Sequence, residues 1–151
     1  MAVAALTATF AQFVVEVQTD VGPPIVWTKI CGITTRGINR TSNMQTSEVP
    51  YCDDETLPSA LERAVQSQEV TISGNGVWAA QSHEMMLDWW YSGQTKIIRV
   101  QHVNAAVGDT EYETGNAYLV SLNNQGEKGQ KKTAELEIQF DGIPTRTAKA
   151  A

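Results

Sequence analysis

Residues 68–103 constrain the chain more than any other stretch. They read Q-E-V-T-I-S-G-N-G-V-W-A-A-Q-S-H-E-M-M-L-D-W-W-Y-S-G-Q-T-K-I-I-R-V-Q-H-V. Val70 and Ile72 alternate with Glu69, Thr71 and Ser73, the period-2 signature of a strand with one buried face. Gly74-Asn75-Gly76 interrupts it. Then come the one convincing helix and a second strand over residues 96–103. One short helix among alternating segments predicts a mainly β domain with a helix packed on sheet. Ser82 is placed to cap the helix, Glu84 puts negative charge in its first turn, and Gly93 sits where a left-handed terminator belongs. Met86, Trp89, Trp90 and Gly93 follow i, i+3, i+4, i+7 spacing, so Met86, Trp89 and Trp90 are the expected core anchors.

The remaining strands alternate in the same way. In residues 10–20, Phe13, Val15 and Val17 oppose Gln12, Glu16 and Gln18. Val21-Gly22-Pro23-Pro24 turns the chain into a second strand near residues 25–33. Ala134, Leu136, Ile138 and Phe140 alternate with Thr133, Glu135, Glu137 and Gln139, and residues 117–122 supply an antiparallel mate. Residues 34–68 show no period and are rich in turn formers and polar side chains, so they read as a long loop, either one that orders against a partner or a plain surface excursion. The expected organisation is an N-terminal arm (1–9), one β-domain (10–142) and a loose C-terminal tail (143–151).

With 151 residues and a net formal charge of −6, the chain has enough apolar content for one real core and no basic face for reading duplex DNA. No basic segment precedes Ala2, so the start reads as an arm rather than a secretory leader. Cys31 and Cys52 read as free thiols. No catalytic constellation emerges, and no cofactor or metal site is expected. His83-Glu84 lacks the second histidine of a helical zinc motif. Asp53-Asp54-Glu55 lacks the ligand spacing and glycine of a calcium loop. Gly74-Asn75-Gly76 fits neither a P-loop nor a dinucleotide fingerprint. Glu135 and Glu137 share a strand face as surface strands routinely arrange, without marking a glycosidase pair.

The order of motifs is more specific than any one of them. W-x-x-I-C-G-I-T at residues 27–34 is followed by E-V-P-Y-C-D-D at 48–54, E-V-T-I-S-G-N-G-V-W at 69–78, a helix, K-I-I-R-V at 96–100, G-N-A-Y-L-V-S-L at 115–122 and G-E-K-G-Q at 126–130. This order resembles the major tail tube proteins of long-tailed bacteriophages, including the tails of gene transfer agents; type VI secretion tube proteins share the fold. The resemblance implies two antiparallel sheets packed as a sandwich or open barrel, flanked by one helix. It implies a structural virion protein, assembled in the host cytoplasm, whose copies form hexameric rings stacked into a tube that DNA traverses without specific binding. Tape-measure and tail terminator proteins are implied partners, and no membrane insertion is implied.

Within that frame Gln12, Glu16, Glu69, Thr71, Glu135 and Glu137 are expected to face the lumen, where negative charge repels phosphates. Arg36, Arg40, Asp53, Asp54 and Glu55, on the 34–68 segment, are the expected inter-ring contacts. Two alternatives remain at this level. One is a secretion tube subunit that carries protein. The other is a monomeric β-sandwich module that stacks a ligand such as carbohydrate on Trp27, Trp78, Trp89 or Trp90.

Overall fold

The computed structural model describes residues 2–151. Residues 2–9 have no regular structure and are exposed. A single 3₁₀ turn, Phe10–Gln12, leads into β1 (Phe13–Asp20). There follow β2 (Val26–Lys29), β3 (Ile33–Val49), β4 (Ala60–Val77), α1 (Ala80–Ser92), β5 (Lys96–His102), β6 (Thr110–Gln125), β7 (Thr133–Phe140) and β8 (Thr145–Ala148). The strands form one antiparallel sheet in the order β2-β1-β5-β6-β7-β4-β3, with β8 added alongside β6.

Two layers are present, but backbone hydrogen bonds connect them through β6 instead of leaving two separate sheets. The first half of β6 pairs with β5 and its second half with β7, with an irregularity between Leu119 and Ser121 that re-aims the strand. The sheet therefore curls over on itself as an open barrel. Val15 and Val17 of β1, Ile98 and Val100 of β5, Leu119 of β6, Leu136 and Ile138 of β7 and Ile72 of β4 meet in one core. The strict alternation of β7 is realised: Ala134, Leu136, Ile138 and Phe140 are buried.

Helix α1 closes one mouth of the curl. Met86 (2% exposed) and Trp89 (1%) point inward, and Met86 lines a small void with Ile30, Leu122 and Leu136. The indole N–H of Trp89 donates to the carbonyl of Gln94. Gly93 ends the helix in the left-handed region (φ 65°). Trp90 departs from expectation: it is 46% exposed, because only one side of the helix is covered. Ser82 is not the cap either. Ala79 holds that position without a side-chain bond, while buried Ser82 accepts from the Cys31 N–H and pins the helix to the β2–β3 turn. Gly76 is required by close approach, since a Cβ there would lie 2.2 Å from the Gly32 carbonyl oxygen.

The largest difference from the sequence reading is residues 34–68. Most of this segment is the antiparallel β3–β4 ribbon, paired from Ile33↔Gly76 out to Val49↔Ala60, and only residues 50–59 remain as a loop at its tip. Nor is the C-terminus loose throughout, since β8 pairs with Thr110–Thr114 of β6.

Candidate assembly interface

Beyond the Asn43↔Ser67 pair the ribbon leaves the body and is exposed on both faces. At about 3.3 Å per residue, the stretch from residue 43 to 49 projects roughly 20 Å. Its register places Met44, Val65 and Leu61, all about half exposed, on one face together with Thr46, Glu48 and Arg63, continuing the core side of the sheet into solvent. A two-stranded ribbon with neither face covered is marginal alone in water. Asp53, Asp54 and Glu55 lie in its exposed tip. Thr56 donates its hydroxyl and its backbone N–H to Asp54, which holds that carboxyl below its ordinary value.

Arg36 and Arg40, the other expected inter-ring contacts, are engaged within their own chain. Arg36 donates to the Phe10 carbonyl and stacks on the Phe10 ring at 3.9 Å. Arg40 reaches across the curl to Glu113, bonding both carboxylate oxygens. His102 lies 2.9 Å from the same carboxylate. Glu113 is 5% exposed. Burial alone would raise its pKa, but the hydrogen bonds and charges of Arg40 and His102 outweigh burial and hold it below the ordinary value. This cluster ties the root of the ribbon to β5 and β6, and it missed detection in sequence because Arg40 lies 73 residues from Glu113.

The expected lumen-facing set divides. The registers Thr71↔Gln139, Ser73↔Glu137 and Asn75↔Glu135 put Thr71, Glu135 and Glu137 on one face of β4–β7, and Glu69 continues it. That face extends over β3 through Asn39 and Thr41 and over β6 through Ser121 and Asn123. It carries three glutamates and no lysine or arginine. Gln12 and Glu16 do not belong to it. Gln12 sits in the 3₁₀ turn, its side chain accepting from the Thr9 N–H. Glu16 is buried (6% exposed) because β1 is covered on both faces. Its partner across the β1–β5 ladder, Arg99, lies 3.4 Å from it and is sandwiched between Trp27 and Tyr112.

The tryptophans do not form an open stacking platform. Trp27 is covered by Arg99, Trp78 contacts His83 and Lys132, and Trp89 is internal; only Trp90 is substantially exposed.

Strand edges are the prominent unfinished feature. β3 ends the sheet, so its outer edge has no strand partner. On the β5 side of β6, pairing stops at Ala117, which leaves residues 118–125 open along that edge. Free edges of this length are a liability in a monomer and an asset in a self-assembling subunit. A curled sheet with a projecting ribbon, two complementary free edges and an acidic polar face defines a protein built to associate with copies of itself.

The comparisons agree with that class. A family model described as phage tail tube protein matches residues 7–146. No curated protein sequence matches the chain. Among solved structures, the fold is similar to a chain of the tail of an empty GTA particle, refined with helical C6 symmetry (TM-score 0.72, 19% identity, covering 94% of this chain and 100% of that one). It is also similar to a chain from the virion of a native gene transfer agent particle (0.67, 18%, 94% and 100%) and to the SPP1 tail tube (0.69, 11%, 96% and 81%). The chain belongs to the phage tail tube protein family and is a structural tail tube subunit.

Proposed function

We propose that six copies close into a ring, that rings stack into the hollow tail tube of a virion, and that the β6–β7–β4–β3 face lines its lumen. The acidic face carries this reading. With glutamates at 69, 135 and 137 and no basic residue, it offers DNA phosphates no countercharge, so a duplex slides instead of binding. Strand direction supports ring closure. β6, β7, β4 and β3 alternate in direction. Rotation about an axis along the strands therefore sets β3 of one copy antiparallel to residues 118–125 of β6 in the next. Each joint satisfies two free edges, and cyclic symmetry leaves none around the ring. At −6 per copy, six copies carry a formal charge of −36.

The ribbon then reaches the neighbouring ring, with Asp53, Asp54 and Glu55 at its tip and Met44, Val65, Arg63 and Leu61 along one face. Arg36 and Arg40 contribute indirectly, by fixing the ribbon root. A tape-measure protein and a terminator would set the tube's length, and assembly would take place in the host cytoplasm.

The test is electron microscopy of the purified chain over a concentration series, followed by the E69K/E135K/E137K variant. Hollow tubes with six-fold end views are expected for both. Variant tubes should retain nuclease-protected DNA at low salt and release it as salt rises, while wild-type tubes retain none. A chain that stays monomeric even when seeded with preformed tube ends, or variant tubes indifferent to DNA, would overturn the reading.

A further inference from the structure

A second set of free edges remains after the ring is closed. β4 pairs with β7 only from Thr71 to Val77, so residues 60–70 have no strand on that side. β7 stops at Phe140, and the chain jogs through Gly142, in the left-handed region at φ 89°, and buried Pro144, which has no N–H to give a ladder. It resumes as β8 beside β6, leaving the outer edge of β8 unpaired. β7 and β8 lie on the same edge of β6, so the free stretch of β4 and the free edge of β8 flank one gap. A cavity of about 390 Å³ occupies this place. Gln68, Glu69 and Val70 line it from β4, Ile143 and Arg146 from the other side, and the Arg40–Glu113–His102 cluster is at its base.

We infer that this gap is a strand slot, filled in the assembled tube by residues 2–9 of a second copy; the inference rests on the tube reading above. An extended segment inserted here would pair with strand edges on both sides and complete the sheet. Charge favours residues 2–9 over the exposed segments at 50–59 and 126–132, the latter carrying Glu127, Lys128, Lys131 and Lys132. Arg40 and Arg146 balance Glu69 and Glu113 in the lining, so a charged occupant finds no net countercharge. The ribbon tip carries Asp53, Asp54 and Glu55, whereas residues 2–9 (A-V-A-A-L-T-A-T) carry no charged side chain. Val3 (93% exposed) and Leu6 (103%) have no partner within their own chain. The arm's root is held by the grip of Arg36 on Phe10, outside the residues that line the cavity.

Directed cross-linking tests this. Cys31 and Cys52 are both exposed and free, so a C31S/C52S parent removes the native thiols. Chains carrying Leu6→Cys are mixed with chains carrying Ser42→Cys at the slot wall, assembled, and oxidised. A mixed dimer on a non-reducing gel is expected from tubes and not from unassembled chains, with loss of the band when Ser121→Cys, on the lumen face, replaces Ser42→Cys. On assembly, hydrogen exchange of residues 68–70 should slow in the full chain and stay fast in a chain lacking residues 2–9. Well-formed tubes without the cross-link, equal cross-linking at residue 121, or an intrachain link in a monomer carrying both cysteines would each overturn the slot and leave the tube intact. Absence of tubes from the thiol-free parent, visible on grids before oxidation, would overturn the assembly reading and the slot with it.

Discussion

Trp89 and Trp90 are adjacent, chemically identical and equally favoured by the helical period, yet the structure assigns them different duties. Trp89 is 1% exposed and its N–H is bonded to the Gln94 carbonyl at 3.1 Å. Trp89→Ala removes a full buried indole and leaves a cavity under a helix of 13 residues. Substitutions of this kind cost about 3–5 kcal/mol. The lost hydrogen bond adds little, because Gln94 is exposed and its carbonyl can turn to water. In a domain of this size each kcal/mol lowers Tm by about 2–4 °C, so the expected fall is about 6–20 °C. Trp90→Ala removes a ring that is 46% exposed and packs edge-on against Tyr91 at 5.1 Å, so about 1 kcal/mol is expected. Urea denaturation of the monomer followed by circular dichroism makes the comparison, since both variants alter tryptophan fluorescence. Working below the assembly concentration removes the stabilisation that polymerisation adds by mass action. Equal losses for the two variants, or a loss under about 1 kcal/mol for Trp89→Ala, would refute the placement of α1 as the plug of the open barrel.

Two further outcomes follow from the ribbon and its root. Glu113 has its pKa lowered on folding, so its contribution to stability is complete above its ordinary value of 4.5 and is lost as pH falls through the lower folded value. Glu113→Gln should cost about 1–3 kcal/mol at neutral pH and flatten the acid limb of the stability curve; an unchanged acid limb would remove Glu113 from that role. Replacing residues 44–66 with Asn-Gly closes a two-residue turn on the Asn43–Ser67 pair. It should leave a monomer with wild-type Tm that builds no stacked rings, and normal tubes from this variant would exclude the ribbon from stacking.

What was legible in the sequence followed burial. β7 announced itself because its alternate residues enter the core, and Gly93 because only a left-handed residue ends the helix there. β3 and the outer part of β4 were invisible for the converse reason. Both faces of the ribbon meet solvent, so selection for a hydrophobic face leaves no period-2 trace in T-S-N-M-Q-T-S-E or its mate, and the pairing is fixed by cross-strand geometry alone. Glu16 misled by its charge. A carboxylate in a strand ordinarily marks the wet face, but Arg99, 83 residues away, reaches it and Trp27 and Tyr112 seal the pair. Three of the four remaining lumen candidates, Glu69, Glu135 and Glu137, were found by their charge, and register alone could place them with Thr71 on a common face.

The same features that obscured the sequence explain why this chain suits assembly. A monomer normally blunts its edges with charge, proline or short strands. Here β3 runs 17 residues with an open edge, and its only acidic residue, Glu48, lies next to its end. β6 leaves residues 118–125, among them the 45% exposed Val120, without a strand on the β5 side. Such surfaces would aggregate at random unless correct association were geometrically easier than any other. The Arg40–Glu113–His102 cluster supplies that bias, because it fixes the direction in which an otherwise marginal ribbon leaves the body. Under the proposed stacking, a ribbon aimed in advance loses less entropy on docking than one that must search, and that gain would recur at every subunit added.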